Sequence, residues 1–353
     1  MTVYTSIQLE EMIARWPRVR LTSLPTPLYR LKNLPGEFGL QELLIKRDDL
    51  TGLAFGGNKS RKLEFILADA LSQEADTVIT WGSLQSNWCL QIAAAARKCG
   101  LKPVLVLFKT YQLSSLDQGN LLIEKLLEAD IRIAETEVGG KSPDQDQAFR
   151  FLAEVAREEM KKGHRPYLVS VGGSMTGGSM DKPLGALAYM LNMIELSGQM
   201  PDSKPPDHVV VATGSGATQA GLIVGARALG LNTRVVGICV SDRKDEFLPR
   251  VRKIALELVE ALGLKINLDD RDIILFDDYL GEGYGRVSAE IATIIRMVLQ
   301  KEGLVLDPVY TAKAMIGLLD LARKKFFQPS DRVVFLHTGG TPALFAFSEW
   351  LLP

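Results

Sequence analysis

A lysine that follows a glycine turn has the setting of a nucleophile in this sequence. Lys59 lies in the stretch AFGGNKSRK, one residue beyond the glycine pair and at the start of a helical pattern. The N-terminus of a helix carries partial positive charge, so a cation there is unfavourable. If the lysine is also desolvated, its pKa falls and the neutral amine suits Schiff-base chemistry. A solvated surface lysine is the competing interpretation, and the other basic residues crowded around Lys59 weaken its distinctiveness.

A second glycine-rich turn has the composition of an anion site. The strand-like run VVVAT leads into TGSGAT, residues 213–218, and an alanine-rich helical pattern follows. Glycines let the backbone approach an anion closely, and the N–H groups at a helix start point towards it. Gln219 stands where a dinucleotide-binding turn has its third glycine, and no clear acidic partner follows. The turn therefore favours a phosphate site over a NAD site; a tight turn that needs glycine for steric reasons is the alternative.

A third turn, GSLQSN at residues 82–87, opens another helical pattern and could hold a carboxylate. The backbone N–H groups and the side chains of Ser86 and Asn87 would supply the donors. Plain N-capping of the helix by either side chain is an equally good interpretation.

Two tyrosines lie in polar turns rather than in apolar runs. Tyr284 belongs to GEGYG and Tyr310 to DPVY, and each precedes a helical pattern. Both are candidates for stacking on a ring or for acid–base chemistry, although a buried tyrosine more often fills a core. His337, at the end of the last apolar strand, is more simply structural.

Composition excludes several classes of ligand. The 353-residue chain has 41 Lys and Arg against 42 Asp and Glu, a net charge of −1, whereas a nucleic-acid binder needs a basic stripe. The 3 cysteines form no C-x-x-C pair and the 3 histidines lie far apart, so neither disulfides nor a metal site is expected. The absence of a signal pattern and of long apolar runs indicates a cytoplasmic protein without a membrane partner. A small molecule or another protein remains.

Short apolar strands alternate with helical segments along the whole chain. Nearly continuous Val/Ile/Leu runs are typical of strands buried on both faces of a parallel sheet. The alternation predicts a parallel α/β architecture of about two domains, with the candidate turns after strands, where open α/β sheets bind ligands. Strands are predicted at 43–49, 77–81, 103–108, 131–135, 167–171, 209–213, 233–240, 272–276 and 332–338, helices at 59–73, 87–98, 116–129, 144–162 and 184–196, and a surface loop at 198–207.

The segments that carry these motifs resemble one family, the pyridoxal-phosphate enzymes grouped as 1-aminocyclopropane-1-carboxylate deaminases and D-cysteine desulfhydrases. The resemblance runs from about residue 10 to the C-terminus, with every block in family order. The blocks GGNKSRKLE, QSN and DPVY are together highly specific for the family and much less specific for the substrate. The other matching segments are LPTPLYRL (24–31), TGSGATQAGL (213–222), GYG (283–285) and HTGGTPALF (337–345).

The resemblance implies an α/β fold of the tryptophan-synthase-β type, with two domains built on open, mostly parallel twisted sheets. Pyridoxal 5′-phosphate would lie between the domains. The large, cofactor-binding domain would comprise residues 1–57 and 168–353, and the small domain residues 58–167. A homodimer that acts on a small amino acid is implied as well.

The resemblance also implies a role for each motif residue. Lys59 would hold the cofactor as a Schiff base, Ser86 would hold the substrate carboxylate, Tyr310 would stack on the ring and Tyr284 would reach the reacting centre. The cofactor would further be bound by Lys62, Asn87, Thr213, Gly214, Ser215, Gly216, Ala217, Thr218 and Thr338. The substrate would contact Ser86, Asn87, Trp88, Tyr284 and Thr311.

Two positions bear on the substrate. The deaminase branch of the family carries Glu after the DPVY tyrosine and Leu in the last-strand turn, where this sequence has Thr311 and Thr338. A carboxylate near the pyridine nitrogen would keep it protonated and strengthen the electron sink, whereas a hydroxyl favours the neutral ring. The two threonines resemble the D-cysteine desulfhydrase branch. They predict β-elimination from D-cysteine to pyruvate, sulfide and ammonia, with 1-aminocyclopropane-1-carboxylate deamination and cysteate sulfo-lyase action as alternatives.

The sequence departs from both branches after the QSN motif. Trp88, Cys89 and Leu90 follow there, where the family usually has His or Gln and then Arg. Trp88 could fill the substrate pocket or alter carboxylate binding, so the departure bears on the substrate rather than on the cofactor. A regulator that binds a phosphate ligand through residues 213–218 and has lost the chemistry is a different class of function. The retention of Lys59 together with the serine and the tyrosines argues against it.

Overall fold

The computed structural model describes residues 2–111, 113, 115–135 and 145–352. Its strands are β1 (Leu28–Arg30), β2 (Glu42–Arg47), β3 (Thr77–Ser83), β4 (Lys102–Lys109), β5 (Asp130–Glu135), β6 (Pro166–Leu168), β7 (His208–Thr213), β8 (Arg234–Cys239), β9 (Ile274–Phe276) and β10 (Arg332–His337). Its helices are α1 (Ser6–Ala14), α2 (Asn58–Ser72), α3 (Asn87–Lys98), α4 (Gly119–Leu126), α5 (Gln145–Lys161), α6 (Leu184–Gln199), α7 (Ala217–Ala228), α8 (Lys244–Ala261), α9 (Ala289–Glu302), α10 (Thr311–Arg323), α11 (Thr341–Ala346) and α12 (Ser348–Leu351).

The strands form two open sheets. The larger sheet has the order β1-β2-β10-β7-β8-β9, and every neighbouring pair in it is parallel except β1 with β2. The smaller sheet, β5-β4-β3-β6, is parallel throughout. The central strands are buried apolar runs, as expected for sheets covered by helices on both faces. The predicted parallel α/β architecture is therefore confirmed.

The two sheets draw on different parts of the chain. Strands of the larger sheet lie within residues 28–47 and 208–337, and those of the smaller sheet lie within residues 77–168. Helix α2 packs against α3, which covers the smaller sheet. It also packs against α6, which contacts α7 beside the larger sheet. The division into domains at residues 57 and 167 stays a prediction, and α2 is one of the elements that contact both parts.

A buried ionic network holds helix α2 in place through the face of α2 that packs against α6. Arg61 donates from Nε and Nη2 to the carboxylate of Asp48 over 3.0 and 2.8 Å, and from Nη1 and Nη2 to Glu195 over 2.9 and 2.8 Å. Lys46 Nζ, on β2, donates to the same Glu195 over 2.5 Å. Bidentate charge-assisted bonds have strict geometry, and removal of one partner would leave a buried charge unpaired. The network therefore fixes the rotation of α2 and the direction of the residues at its start.

Most predicted elements agree with the structure to within a few residues, and the differences have local causes. The strand predicted at 167–171 ends at Leu168, because the chain turns through Gly172 at φ 68°. The helix predicted at 116–129 starts at Gly119 and ends at Leu126, since Glu128 adopts φ 52°. The loop predicted at 198–207 begins two residues later, at residue 200, because α6 extends through Gln199. The start of the predicted helix at residue 144 lies outside the described residues, and β1 was not predicted.

Within the described residues no helix is long and apolar enough to cross a bilayer. The same residues contain no group of three or more acidic, histidine or cysteine side chains arranged to hold a metal ion.

Candidate active site

Lys59 lies at the second position of α2, and the turn before it requires glycine. Gly57 has φ 126°, and a Cβ there would come within 2.4 Å of Gln91 Nε2. Its N–H donates to Thr51 Oγ1 over 2.8 Å, and the next N–H, of Asn58, donates to the carbonyl of Thr338 over 3.0 Å. The lysine turn is therefore fixed to the turn that follows β10.

Gln91, on α3, holds the lysine turn from the opposite side. Its Oε1 accepts from Ser60 Oγ over 2.8 Å, and its Nε2 donates to the carbonyl of Gly56. The side chain is 3% exposed, so these bonds have little competition from water. The sequence offered no signal for this residue, because it lies one helical turn beyond the QSN motif inside an ordinary helical pattern.

The Lys59 amine has the electrostatic setting that the sequence predicted. The side chain is half-buried, and no hydrogen bond or salt bridge joins its Nζ to any of the described residues. Burial lowers the pKa of Lys59 to about 8, and the carboxylate of Asp307 opposes the shift. An amine with that pKa is available as a free base near neutral pH, which a nucleophile requires.

Lys62 reaches the glycine-rich turn through a second loop. Its Nζ is fully buried and donates to the carbonyl of Gly172 over 3.2 Å. Burial, together with the charge of Lys59, lowers the pKa of Lys62 well below its usual value. A Cβ on Gly172 would lie 2.4 Å from Ser215 Oγ, so Lys62 and the turn at 213–218 are adjacent. Ser174 Oγ also donates to Ser215 Oγ over 2.7 Å and was not predicted.

The turn at 213–218 presents a row of unpaired donors. Gly216, at φ 99°, precedes α7 without a side-chain cap, and the N–H groups of residues 215–219 find no acceptor in the described part of the chain. Thr218 Oγ1 accepts from Asn58 Nδ2 over 3.1 Å, which ties the turn to Lys59. Buried N–H groups are rarely left unpaired in folded proteins. The donors and the neighbouring Lys62 therefore fit an anionic group such as a phosphate.

Thr213 has a different environment from the rest of this turn. Its hydroxyl donates to Gln219 Oε1 over 2.8 Å, and Gln219 Nε2 in turn donates to the carbonyl of Ile274 over 2.9 Å. The Thr213 side chain thus joins β7 to the helix that follows. A contact between this hydroxyl and the cofactor stays a prediction that no described contact supports.

Ser86 and Asn87 meet at the start of α3. Ser86 Oγ accepts from the N–H of Cys89 over 3.2 Å, so Ser86 caps α3, and accepting this bond does not use the hydroxyl proton. Asn87 Oδ1 accepts from Asn120 Nδ2 over 2.7 Å. A Cβ on Gly340 would lie 2.7 Å from Asn87 Nδ2, so this free donor faces the turn after β10.

Asn120 is a second residue that sequence reasoning missed. It is fully buried on α4, and its Nδ2 donates to Asn87 Oδ1 and, over 2.9 Å, to the carbonyl of Gln85. Gln85 Oε1 accepts from the Asn120 N–H over 2.7 Å. These bonds orient the Asn87 amide with its donor outward.

The two predicted tyrosines are in direct contact. Tyr284 Oη lies 2.5 Å from Tyr310 Oη, with the ring centroids 5.9 Å apart. Ser83 Oγ lies 3.2 Å from Tyr284 Oη and accepts from Tyr111 Oη over 3.3 Å. Burial raises the pKa of Tyr284 and, more strongly, that of Tyr310, so both hydroxyls are neutral at physiological pH. A Cβ on Gly214 would lie 3.2 Å from the Tyr310 ring, which places that ring beside the glycine-rich turn.

Asp307 organises the start of α10. Its buried carboxylate accepts from the N–H of Tyr310 over 3.0 Å and from both the N–H and the hydroxyl of Thr311 over 2.8 and 2.7 Å. The Thr311 hydroxyl also accepts from the Asp307 N–H over 2.7 Å. Thr311 is completely buried, and its hydroxyl is occupied by Asp307. A direct contact of Thr311 with a substrate therefore stays a prediction.

The remaining predicted residues lie around this site at different depths. Thr338 is 8% exposed, and its carbonyl is bound to the lysine turn. His337 is structural as predicted, because its Nδ1 accepts from the Gly339 N–H over 3.2 Å. Trp88 is 2% exposed, and its Nε1 donates to Thr80 Oγ1 over 2.7 Å. Trp88 packs into the core beside the 172–174 turn, and its contact with a substrate stays a prediction.

Comparison with known proteins agrees with this geometry. The family model described as pyridoxal-phosphate dependent enzyme matches residues 19–339. The chain therefore belongs to the pyridoxal-phosphate dependent enzymes, as the sequence motifs predicted, and the cofactor of the family is pyridoxal 5′-phosphate.

Among curated relatives, the D-cysteine desulfhydrase of Yersinia enterocolitica is 42% identical over 342 residues, which cover 96% of this chain and 98% of the relative. A putative 1-aminocyclopropane-1-carboxylate deaminase of Pyrococcus horikoshii is 38% identical over 341 residues, with 97% of each chain covered. The solved structure of an ACC deaminase homologue superimposes with a TM-score of 0.86 at 37% identity and covers 97% of this chain and 98% of its own. The predicted fold type and family are confirmed.

Proposed function

We propose that this pyridoxal-phosphate enzyme catalyses β-elimination from D-cysteine. One water is consumed, and pyruvate, hydrogen sulfide and ammonia are released. The proposal depends on three neighbouring features: the Lys59 amine, the N–H groups of residues 215–219 and the Tyr284–Tyr310 pair. Neither the amine nor these N–H groups have a hydrogen-bond partner in the part of the chain that the structure describes. The 42% identity with a D-cysteine desulfhydrase over nearly the whole chain supports the choice of substrate.

The binding roles follow from which donors are free. The N–H groups of residues 215–219, with Lys62, would hold the cofactor phosphate, and Asn87 Nδ2 would donate to the ring hydroxyl. The Ser86 hydroxyl and the first N–H groups of α3 would hold the substrate carboxylate. Lys59 Nζ would bind the cofactor aldehyde. When bound, pyridoxal 5′-phosphate supplies an electron sink for the charge left at the substrate Cα.

The proton-transfer roles follow from the pKa directions. Burial lowers the pKa of Lys59 to about 8, so its amine is the group suited to take the Cα proton. Burial raises the pKa of both tyrosines, so both hydroxyls carry their protons at neutral pH and neither is available there as a base. Tyr284 Oη would protonate the leaving sulfur, and Tyr310 Oη, at 2.5 Å, would share the charge that remains on the pair.

Two threonines favour D-cysteine over 1-aminocyclopropane-1-carboxylate. The hydroxyl of Thr311 and the side chain of Thr338 stand where the deaminase branch has Glu and Leu. A thiolate leaves more readily than an unactivated ring carbon, so elimination from cysteine needs less electron withdrawal from the cofactor. Deamination of 1-aminocyclopropane-1-carboxylate is the second candidate, because a relative with 38% identity carries that name.

A substrate panel tests the proposal. Purified enzyme loaded with cofactor would be assayed for pyruvate and ammonia with D-cysteine, L-cysteine, cysteate and 1-aminocyclopropane-1-carboxylate, and for sulfide or sulfite where the substrate contains sulfur. We expect the highest kcat/KM with D-cysteine. A higher kcat/KM with 1-aminocyclopropane-1-carboxylate would overturn the argument from the threonines, and sulfite release from cysteate at a higher kcat/KM would identify a sulfo-lyase instead.

We further propose that the enzyme is a cytoplasmic homodimer. Cys89, Cys99 and Cys239 are free thiols, which suits a reducing compartment. The dimer rests on the family resemblance alone. Sedimentation velocity of the cofactor-loaded protein tests the dimer, and a monomer at micromolar concentration would contradict it.

A further inference from the structure

A buried lysine outside the set described above contacts the loop that carries Tyr284. Lys313 is on α10 and is 1% exposed. Its Nζ donates to the carbonyls of Leu280 and Gly283, each over 2.7 Å. No salt bridge joins this ammonium to a carboxylate among the described residues. Burial lowers the pKa of Lys313 to about 8, and Asp307 opposes the shift. Burial of an ammonium group costs free energy, so its two short bonds to a single loop indicate that the contact with this loop has a function.

The loop it binds has a conformation that few residues can adopt. Gly283, directly before Tyr284, has φ 119°, and Gly285, directly after it, has φ 71°. A Cβ on Gly285 would lie 2.4 Å from the ring of Tyr111. Glycine loops of this kind lose much conformational entropy on ordering, so a strong contact is needed to hold one arrangement.

Helix α10 therefore contacts both tyrosines of the site. Tyr310 immediately precedes the helix, and Asp307 holds its backbone N–H. Lys313 lies three residues further on, nearly one helical turn, and binds the loop of Tyr284. The two hydroxyls that lie 2.5 Å apart thus belong to segments that are both attached to the same helix.

We propose that Lys313 is a positioning residue: its ammonium holds the loop at 280–284 against α10 so that Tyr284 Oη stays in contact with Tyr310 Oη. The inference rests on the proposed function in one respect, namely that Tyr284 acts in the reaction. Lys313 would act through Tyr284, because its Nζ is bound to the two loop carbonyls.

Two substitutions separate this role from a general effect on folding. Lys313→Met keeps the apolar stem and removes the donors, whereas Lys313→Gln keeps a neutral N–H donor and needs no buried charge. Lys324→Met removes an exposed lysine at the end of the same helix and serves as the control. Cofactor absorbance and affinity should stay unchanged in all three, because residues 59, 62 and 215–219 lie on other elements and Asp307 still holds the N–H of Tyr310.

Kinetics supply the first measurement. We expect Lys313→Met to lower kcat with D-cysteine at least about tenfold with little change in KM, because a misplaced acid–base group loses its contribution. Lys313→Gln should recover part of the loss. In a Tyr284→Phe background, Lys313→Met should have less than about a twofold further effect, because both changes remove the same function. Equal losses in both backgrounds would show a purely structural role and overturn the proposal.

Hydrogen exchange supplies a measurement that needs no activity. The N–H groups of Gly283 and Arg286, which bond within the loop, should exchange at least about tenfold faster in Lys313→Met than in the natural protein or in Lys324→Met. Unchanged exchange would overturn the proposal even if kcat falls. If the enzyme does not turn over D-cysteine at all, the proposed substrate fails while this measurement still decides the role of Lys313.

Discussion

Asn58 Nδ2 donates a hydrogen bond to Thr218 Oγ1 over 3.1 Å, and this bond joins the start of α2 to the start of α7. Lys59 follows Asn58 directly, and the N–H groups of residues 215–219 surround Thr218. The amine and the anion site are thus held at a fixed separation by one contact between neutral side chains. Since both would bind the same cofactor, the contact presents two of its attachment points together.

Loss of this bond should weaken cofactor binding. Asn58→Ala removes the donor and leaves Thr218 Oγ1 without it, so we expect the Kd for pyridoxal 5′-phosphate to rise about tenfold, the effect of one buried hydrogen bond. Fluorescence titration of the cofactor-free protein measures this. Thr218→Ser keeps the hydroxyl and should bind nearly as the natural protein does. An unchanged Kd in Asn58→Ala would show that the turns are held by other contacts.

The hydroxyls of the glycine-rich turn should not contribute equally. Thr213→Val loses a bond to Gln219 inside the protein, so we expect lower thermal stability with a Kd for the cofactor within about twofold of normal. Thr218→Val, by contrast, should weaken cofactor binding. Titration and thermal unfolding of both variants give the comparison. A large rise in Kd for Thr213→Val would mean that its hydroxyl turns towards the phosphate when the cofactor binds.

The rate of cofactor incorporation should depend on pH through Lys59. Burial lowers the pKa of the amine to about 8, and only the neutral amine attacks an aldehyde. Below that pH the rate should therefore rise about tenfold per pH unit, and above it the rate should level off. Absorbance after pyridoxal 5′-phosphate is added to cofactor-free protein follows the reaction, and Lys59→Arg is the control that should not react. A rate that is flat between pH 6 and 9 would refute the assignment.

Glu124 should make the protein less stable as the pH rises. Both of its carboxyl oxygens are buried without a hydrogen-bond partner among the described residues, and burial raises its pKa well above the usual value. The folded protein therefore binds this proton more tightly than the unfolded chain, so stability is highest below the unfolded pKa and falls as the pH rises towards the folded one.

Glu124→Met tests this dependence. We expect the free energy of unfolding at pH 8 to increase by about 1–3 kcal/mol, because an unpaired buried polar group is replaced by an apolar one of similar size. Denaturant unfolding at pH 5 and pH 8 should show a smaller difference for Glu124→Met than for the natural protein. Glu154→Met, on the exposed face of α5, should leave the difference unchanged. An equal difference in the free energy of unfolding between pH 5 and pH 8 in all three proteins would contradict the role of Glu124.

The turns of the site could be predicted from the sequence, but most of the side chains that hydrogen-bond to these turns could not. Glycine before Lys59 and within TGSGAT reports a local backbone requirement, and the structure places positive φ at Gly57 and Gly216. Gln91 and Asn120 act through bonds to side chains 31 and 33 residues away, and neither their own types nor their spacing predicts burial. Such residues are recognisable only once the helices are packed.

Ser86 illustrates a different limit. Its position before a helical pattern was compatible with capping and with carboxylate binding, because both uses need the same oxygen at the same helix start. The cap to Cys89 is present, and accepting this bond does not use the hydroxyl proton, so capping and carboxylate binding are compatible with each other. Local sequence could not reveal this, since it depends on the direction of a single O–H bond.

The anchoring of α2 by Arg61 lies on the side of the helix that faces α6, away from the glycine turn that Gln91 holds. Substitutions near the substrate that spare Arg61 and Gln91 should therefore leave Lys59 in place. A protein built in this way can change its substrate preference while its attachment to the cofactor stays the same. Related enzymes could therefore come to act on different amino acids through changes in a few side chains.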